Sequence, residues 1–260
     1  RTLISLKTFI LFQVADAAFN ATRKPWKVPW TAETVLRVTI LWISAFWFVG
    51  NWVVPFGAYL AGVNKESITY RGQALLSLLT DIMGGFAGVT VLHRCLSPFH
   101  PLPSDLFRFC LGGNWPLDVV IGCLMFPLVE RLSKFNLDLA LLLPSSTPIT
   151  HPSVAESIMT KDPVVMAIYA ILFVLCAPVW EEIVFRGFLL PSLSKYMPVW
   201  CSILVSSVAF ALVHINVQQA LPLMSLGMLM GIIYARSRNL LPSMLLHSLW
   251  NAFVFLGIMK

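Results

Sequence analysis

Two adjacent carboxylates and an arginine interrupt a long apolar segment that begins near Val164. These residues are Glu181, Glu182 and Arg186. A charge near the centre of a bilayer costs about 2.5–3.5 kcal/mol on insertion scales, so such groups normally face a partner or a water-filled cavity. Glu182 and Arg186 are four residues apart, the separation at which helical side chains meet. We therefore predict that Glu182 pairs with Arg186, while Glu181, about 100° away around the helix, faces a cavity.

Three more polar residues follow in the apolar second half of the chain: His214, His247 and Asn251. His247 and Asn251 share a helix face at a spacing of four, as do Phe210 and His214. A carboxylate and an imidazole can remove the proton of a water that attacks a carbonyl. A histidine and an amide can stabilise the resulting oxyanion. The set therefore predicts hydrolysis by activated water, with no serine or cysteine nucleophile.

Other interpretations of these residues stay open. The two acids and Arg186 could form a structural salt bridge. The histidines and the asparagine could supply packing or hydrogen bonds between membrane helices. A zinc site is a further alternative, because Glu181, His214 and His247 are acceptable zinc ligands in type and number. The chain contains no His-Glu-x-x-His motif.

Asp81 is a separate acid inside a predicted span, surrounded by small residues. Its neighbours are Met83, Gly84, Gly85 and Gly88. Small residues let membrane helices approach closely, so this stretch predicts a packing face. A polar pore is the alternative.

The composition predicts a polytopic membrane protein. Hydrophobic residues make up 58% and charged residues 12% of the chain, whereas soluble domains have about 45–50% and about 25%. The mean hydropathy is +0.80. We expect an all-α transmembrane bundle of roughly seven to eight helices in the lipid bilayer, since about 20 apolar residues span a membrane. The predicted spans are 36–63, 72–93, 116–130, 164–193, 199–215, 219–235 and 241–258.

The net charge of +6 does not indicate nucleic-acid binding, because basic residues of membrane proteins collect in cytoplasmic loops.

The predicted spans divide the chain into three regions. These are an N-terminal interfacial helix and basic linker at 1–35, front transmembrane helices and a polar loop at 36–163, and a core at 164–260. The charges within residues 1–20 favour an interfacial amphipathic helix over a further span. The polar loop at 131–163 is predicted to lack helix because of Pro144, Pro148 and Pro152.

Three motifs, taken together and in order, resemble those of a known family. They are Glu-Glu-x-x-x-Arg at 181–186, Phe-x-x-x-His at 210–214 and His-x-x-x-Asn at 247–251. The combination resembles the CAAX-protease and bacteriocin-processing family, specifically the type II CAAX prenyl endopeptidase-like group of intramembrane glutamate proteases. The resemblance covers roughly residues 164–258, and it does not extend to residues 1–160.

The resemblance implies a metal-independent endopeptidase in a helical bundle whose cavity opens toward the bilayer. It implies water activation by Glu181 and His214, positioning of the acid by Glu182 and Arg186, and an oxyanion site from His247 and Asn251. The implied substrate is a membrane-embedded or lipid-anchored peptide.

The sequence around the motifs is most similar to plant and cyanobacterial members of the family. This similarity implies a plastid membrane, either the thylakoid or the inner envelope, with a transit peptide expected before Arg1. The endoplasmic reticulum and the bacterial inner membrane are the alternatives. Prenylated CAAX proteins are not expected substrates inside plastids.

Because family members can also stabilise or assemble other membrane proteins, a non-proteolytic scaffold that docks a membrane protein through residues 1–160 is the second hypothesis. The intact motifs favour protease competence.

Overall fold

The computed structural model describes residues 25–63, 68–141, 152–214 and 219–258, and within these ranges the regular structure is entirely helical. This confirms the predicted all-α fold. The helices are α1 (Ala32–Leu60), α2 (Tyr70–Leu96), α3 (Trp115–Cys123), α4 (Phe126–Leu141), α5 (Pro152–Met159), α6 (Pro163–Leu193), α7 (Val199–Val213), α8 (Ala220–Ser237) and α9 (Leu240–Ile258). The interfacial helix predicted for residues 1–20 lies outside the described residues.

Five of the described helices are long and apolar enough to cross a membrane: α1, α2, α6, α8 and α9. They coincide with five of the predicted spans. Helix α7 is apolar but shorter, at 15 residues. The apolar helices agree with the composition in indicating an integral membrane protein.

The span predicted at 116–130 is wrong, because the helix breaks within it. Helix α3 ends at Cys123 and α4 begins at Phe126. Pro127 has no N–H to donate, and its ring would clash with the carbonyl four residues earlier, which is that of Cys123. The prediction of a helix-free loop at 131–163 is also wrong, since α4 continues to Leu141 and α5 starts at Pro152. Proline is well suited to the first position of a helix, so Pro152 begins this helix instead of breaking one.

The chain divides into two compact units. The first unit comprises Arg1–Val28, Pro103–Ile149 and Glu182–His247, and the second comprises Pro29–Leu102, Thr150–Glu181 and Ser248–Lys260. The division falls within α6, between the two adjacent acids, and within α9 after His247. Each unit is described separately below.

Close packing of α8 on α7 organises the first unit. A Cβ atom at Gly227 would lie 3.0 Å from Ser207 Cβ, and one at Gly231 would lie 3.0 Å from Ile203 Cγ2. Lipid tails are as apolar as leucine, so membrane helices associate through close packing at small residues. The turn between α8 and α9 is fixed by Asn239, whose side chain bonds both the N–H (3.0 Å) and the carbonyl (2.7 Å) of Cys110.

Helices α2 and α6 run side by side in the same direction in the second unit. At their starts, Arg71 Nε lies 2.7 Å from Asp162 Oδ2. Further along, the indole of Trp180 covers Gly85 so closely that a Cβ atom there would overlap the ring. Two aromatic rings of α1 pack directly against glycines of α2: Phe46 against Gly84 and Trp42 against Gly88. The packing face predicted around Asp81 is therefore confirmed.

Candidate active site

Glu182 and Arg186 form a buried ion pair within α6. Glu182 Oε1 lies 2.7 Å from Arg186 Nη1, and the two side chains are 0% and 1% exposed. This contact confirms the pairing predicted from their spacing. The pair lies where α6 widens into the π-helical turn Ile183–Leu189, and such turns occur frequently at functional sites. Removal of one partner would leave an uncompensated buried charge, at a cost of about 3–5 kcal/mol.

His247 of α9 joins this ion pair. Its Nδ1 lies 3.0 Å from the same oxygen of Glu182, and the residue is 3% exposed. A carboxylate accepts hydrogen bonds, so Nδ1 carries the proton in this contact. Nε2 is therefore an acceptor in the neutral ring and a donor only in the imidazolium. The sequence did not predict this bond, because residue spacing gives no information about contacts between helices.

Two further contacts fix the guanidinium of Arg186. Nη2 donates a hydrogen bond to the Gly227 carbonyl over 3.2 Å, and the guanidinium carbon lies 4.6 Å from the centroid of the Phe210 ring. The close approach of α8 and α7 at Gly227 determines where that carbonyl lies. Arg186 thus combines an ion pair, a hydrogen bond to the main chain and a cation–π contact, which a lysine could not reproduce together.

The ring of Phe210 contacts Arg186, His214 and His247. Phe210 is 0% exposed, and its centroid is 4.8 Å from the His214 ring and 5.7 Å from the His247 ring. The sequence identified Phe210 only as the helical neighbour of His214 and missed its contacts with Arg186 and His247. A buried aromatic ring excludes water, which strengthens the electrostatic interactions around it.

His214 directly follows the last residue of α7 and is exposed. Its Nδ1 lies 2.7 Å from the carbonyl oxygen of Phe210. Carbonyls in the last turn of a helix have no partner within the helix, and a side chain that follows can bind them. Because a carbonyl only accepts, Nδ1 carries the proton, and Nε2 is the proton-accepting nitrogen of the neutral ring.

Glu181 and Asn251 lie in the second unit. Asn251 Nδ2 donates to the Phe173 carbonyl over 2.8 Å. Phe173 lies in a second π-helical turn of α6, Ile171–Cys176. Glu181 is half-buried beside Trp180.

The structure thus gathers four of the six predicted site residues around Phe210: Glu182, Arg186, His214 and His247. Glu181 and Asn251 belong to the second unit, in which Asn251 bonds the Phe173 carbonyl. Among the described residues, no group of three or more His, Cys, Asp or Glu side chains is arranged to hold a metal ion.

Residues 163–253 match the model of the Rce1-like family, described as type II CAAX prenyl endopeptidase Rce1-like. The matched segment contains all three motifs. This match confirms the resemblance over these residues and suggests a CAAX-protease-type function. No curated protein and no solved structure matches the chain.

Proposed function

We propose that the protein is an intramembrane endopeptidase that cleaves a membrane-embedded or lipid-anchored peptide with water activated by Glu181 and His214. The observation that carries the proposal is the buried Glu182–Arg186–His247 cluster, which lies within the family-matched segment. Taking ions out of water costs several kcal/mol each unless good geometry offsets it. A structural ion pair needs one acid and one base. The addition of a buried histidine to the same carboxylate oxygen supports a chemical role.

His214 is proposed to act as a base together with Glu181. The hydrogen bond to the Phe210 carbonyl fixes the proton on Nδ1, so Nε2 of the neutral ring can accept the proton of water. In the proposed reaction the water oxygen bonds to the scissile carbonyl carbon and the water proton passes to the base. Collapse of the tetrahedral intermediate breaks the C–N bond, and the same proton is returned to the leaving amine.

His247 is proposed to stabilise the oxyanion as an imidazolium. Its Nδ1–H is bound to Glu182, so Nε2 can donate to an oxyanion only when both ring nitrogens are protonated. Glu182 would supply the counter-charge for that imidazolium, and Arg186 would hold Glu182 in place. Asn251 would provide the second donor, because its amide nitrogen has a second hydrogen besides the one bonded to Phe173.

Single substitutions of Glu181 and His214 test this function. Purified wild type, Glu181→Gln and His214→Ala would be assayed in detergent on two quenched-fluorescent probes, a farnesylated CAAX-type peptide and an unprenylated single-span peptide. Each variant should lose at least about 100-fold in cleavage rate, within the usual range for loss of a general base. Glu130→Gln is the control, since Glu130 is a half-exposed acid paired with Lys134. Full activity in Glu181→Gln, with the control also active, would exclude the proposed mechanism.

We further propose a plastid membrane, thylakoid or inner envelope, as the location. The support is the similarity of the sequence around the motifs to plant and cyanobacterial members. Fractionation of chloroplasts with an antibody against the protein tests the proposal, and recovery in the endoplasmic reticulum fraction would contradict it.

A further inference from the structure

Trp26 joins the ends of α6 and α8 in the first unit. Its main-chain N–H donates to the hydroxyl of Ser194 over 3.1 Å, directly after the end of α6. Its buried indole stacks on Tyr234 of α8, with 5.4 Å between the ring centroids, and the guanidinium carbon of Arg238 lies 3.6 Å from the centroid of the indole. Both helices are long and apolar enough to cross a membrane. They therefore end at the same side of this unit, and Trp26 is held against that side.

The loop that precedes α3 is held against the same side. Asp105 Oδ2 lies 3.4 Å from Arg238 Nη1, and the carbonyl of Arg108 accepts a hydrogen bond from the N–H of Leu240 over 2.8 Å. Residues 105–108 therefore lie beside the turn between α8 and α9. Because this turn connects two helices that can each span a membrane, it lies at a surface of the bilayer.

Basic side chains outnumber acidic ones among the described residues of this side, which we call the basic face. Its cations are Lys27, Arg108, Lys195, Arg236 and Arg238, and its acids are Asp105 and Asp118. Asp118 lies 3.2 Å from Arg236, and Asp105 pairs with Arg238, so each acid already has an arginine partner. Lys27, Arg108 and Lys195 are additional cations with exposed side chains. The basic face therefore presents positive charge to its surroundings.

Aromatic side chains lie beside the exposed cations. Phe109 follows Arg108 in the loop, and Tyr196 and Trp200 follow Lys195 at the start of α7; all three aromatic residues are more than half exposed. Tyrosine and tryptophan are enriched where a membrane protein meets the lipid headgroups. Clusters of basic residues next to a membrane span attract anionic lipids. The combination is typical of a surface that lies at the headgroups of the bilayer.

We propose that the basic face binds the headgroups of anionic phospholipids, with Lys27 and Arg108 as contacts for the phosphate. Lysine and arginine bind phosphate oxygens through charge-assisted hydrogen bonds. Each basic residue near an anionic membrane surface strengthens binding about fivefold. The contacts of Trp26 with both helix ends place the neighbouring Lys27 at this face before any lipid binds. The proposal does not depend on the proposed protease function.

Titration of phospholipid into the purified protein, followed by native mass spectrometry, tests this binding. Phosphatidylglycerol, which is anionic, and phosphatidylcholine, which is zwitterionic, would be compared at equal chain length in one detergent. The wild type should bind phosphatidylglycerol at least about tenfold more tightly. The double variant Lys27→Gln, Arg108→Gln should lose most of this preference. The double variant Arg131→Gln, Lys134→Gln is the matched control, because it removes two exposed cations of α4 in the same unit, and it should keep the preference.

Two outcomes would overturn the proposal. Equal affinity of the wild type for the two lipids is one, and it is the result expected if the basic face bound an acidic segment of a protein instead. An equal loss of preference in the two double variants is the other, because the net charge of the protein would then be responsible. If the Lys27→Gln, Arg108→Gln protein does not fold, the two single variants replace it, and each should lose about fivefold in preference. An unchanged preference in both single variants would likewise overturn the proposal.

Discussion

The carboxylate of Glu182 lies 3.0 Å from Nδ1 of His247, and this bond connects two helices across a sequence separation of 65 residues. The same oxygen accepts from Arg186. One carboxylate thus holds a histidine and an arginine at a buried site, and the properties of this cluster lead to the first two predictions.

Glu182→Gln should destabilise the protein by about 3–5 kcal/mol, because it leaves the buried Arg186 without its counter-charge. Thermal unfolding and denaturant unfolding in detergent would measure the loss. Glu130→Gln is a matched control, since Glu130 also pairs with a cation four residues later, but the two side chains of that pair are 73% and 42% exposed. The control should change stability by no more than about 1 kcal/mol. Equal effects of the two substitutions would show that burial of the Glu182 pair has no energetic consequence.

Arg186→Lys should impair the protein even though it conserves charge. A lysine can keep the ion pair with Glu182 but loses the geometry that also bonds the Gly227 carbonyl and stacks on Phe210. We expect a loss of about 2 kcal/mol in unfolding free energy, the scale of a charge-assisted hydrogen bond. Arg37→Lys, on an exposed pair with Glu33, is the comparison and should be nearly neutral. Wild-type stability in Arg186→Lys would contradict the assigned contacts.

Gly227→Ala should disturb the packing of α8 on α7. The new methyl group would lie 3.0 Å from Ser207 Cβ and 3.1 Å from its Cα, and overpacking of this kind costs about 1–3 kcal/mol. The carbonyl that binds Arg186 would move with the helix, so cleavage activity should fall as well. Gly57→Ala provides the control, because a Cβ there has no neighbour within 4 Å. A Gly227→Ala protein with normal melting and normal activity would refute the tight contact.

Acid should weaken the contact between the starts of α2 and α6. The hydrogen bond from Arg71, followed by that from the Val164 N–H, holds the pKa of Asp162 below its ordinary value. A carboxyl whose pKa is lower in the folded state contributes stability above its unfolded pKa of about 3.9. That contribution is lost as the pH falls through the lower folded-state pKa. The melting temperatures of wild type and Asp162→Asn should therefore differ at neutral pH and converge in strong acid. A difference that persists unchanged in strong acid would contradict this assignment.

Chelation should leave cleavage unchanged, since water activation is proposed without a metal. Activity would be measured after prolonged incubation with a strong zinc chelator and again after addition of zinc. Loss of activity that zinc restores would favour the alternative site of Glu181, His214 and His247.

The sequence predicted contacts within a helix and missed contacts between helices. The four-residue spacing of Glu182 and Arg186 was sufficient for their ion pair, because helix geometry alone brings such side chains together. The same rule correctly placed His247 and Asn251 on one helix, but their partners, Glu182 and the Phe173 carbonyl, depend on tertiary packing. The packing face predicted around Asp81 was correct, because glycines mark close contacts between helices.

Hydropathy was reliable for the long spans and failed at a single backbone feature. Pro127 lies within an apolar stretch, so a hydropathy criterion continues the span through it. The proline ring nonetheless ends the preceding helix at Cys123. The break between α3 and α4 is therefore a consequence of backbone sterics. A hydropathy average over side chains does not detect such a break.

The close packing of aromatic rings on the glycines of α2 determines which substitutions this helix tolerates. At Gly84, Gly85 and Gly88, any added Cβ atom would lie within 2.7 Å of an aromatic ring, whereas Phe86, between them in the sequence, is 61% exposed. A saturation mutagenesis scan of α2 should thus show positions that accept almost no replacement beside one that accepts most apolar residues. The resulting pattern of forbidden and permitted substitutions would map the face of α2 that meets protein against the face that meets lipid.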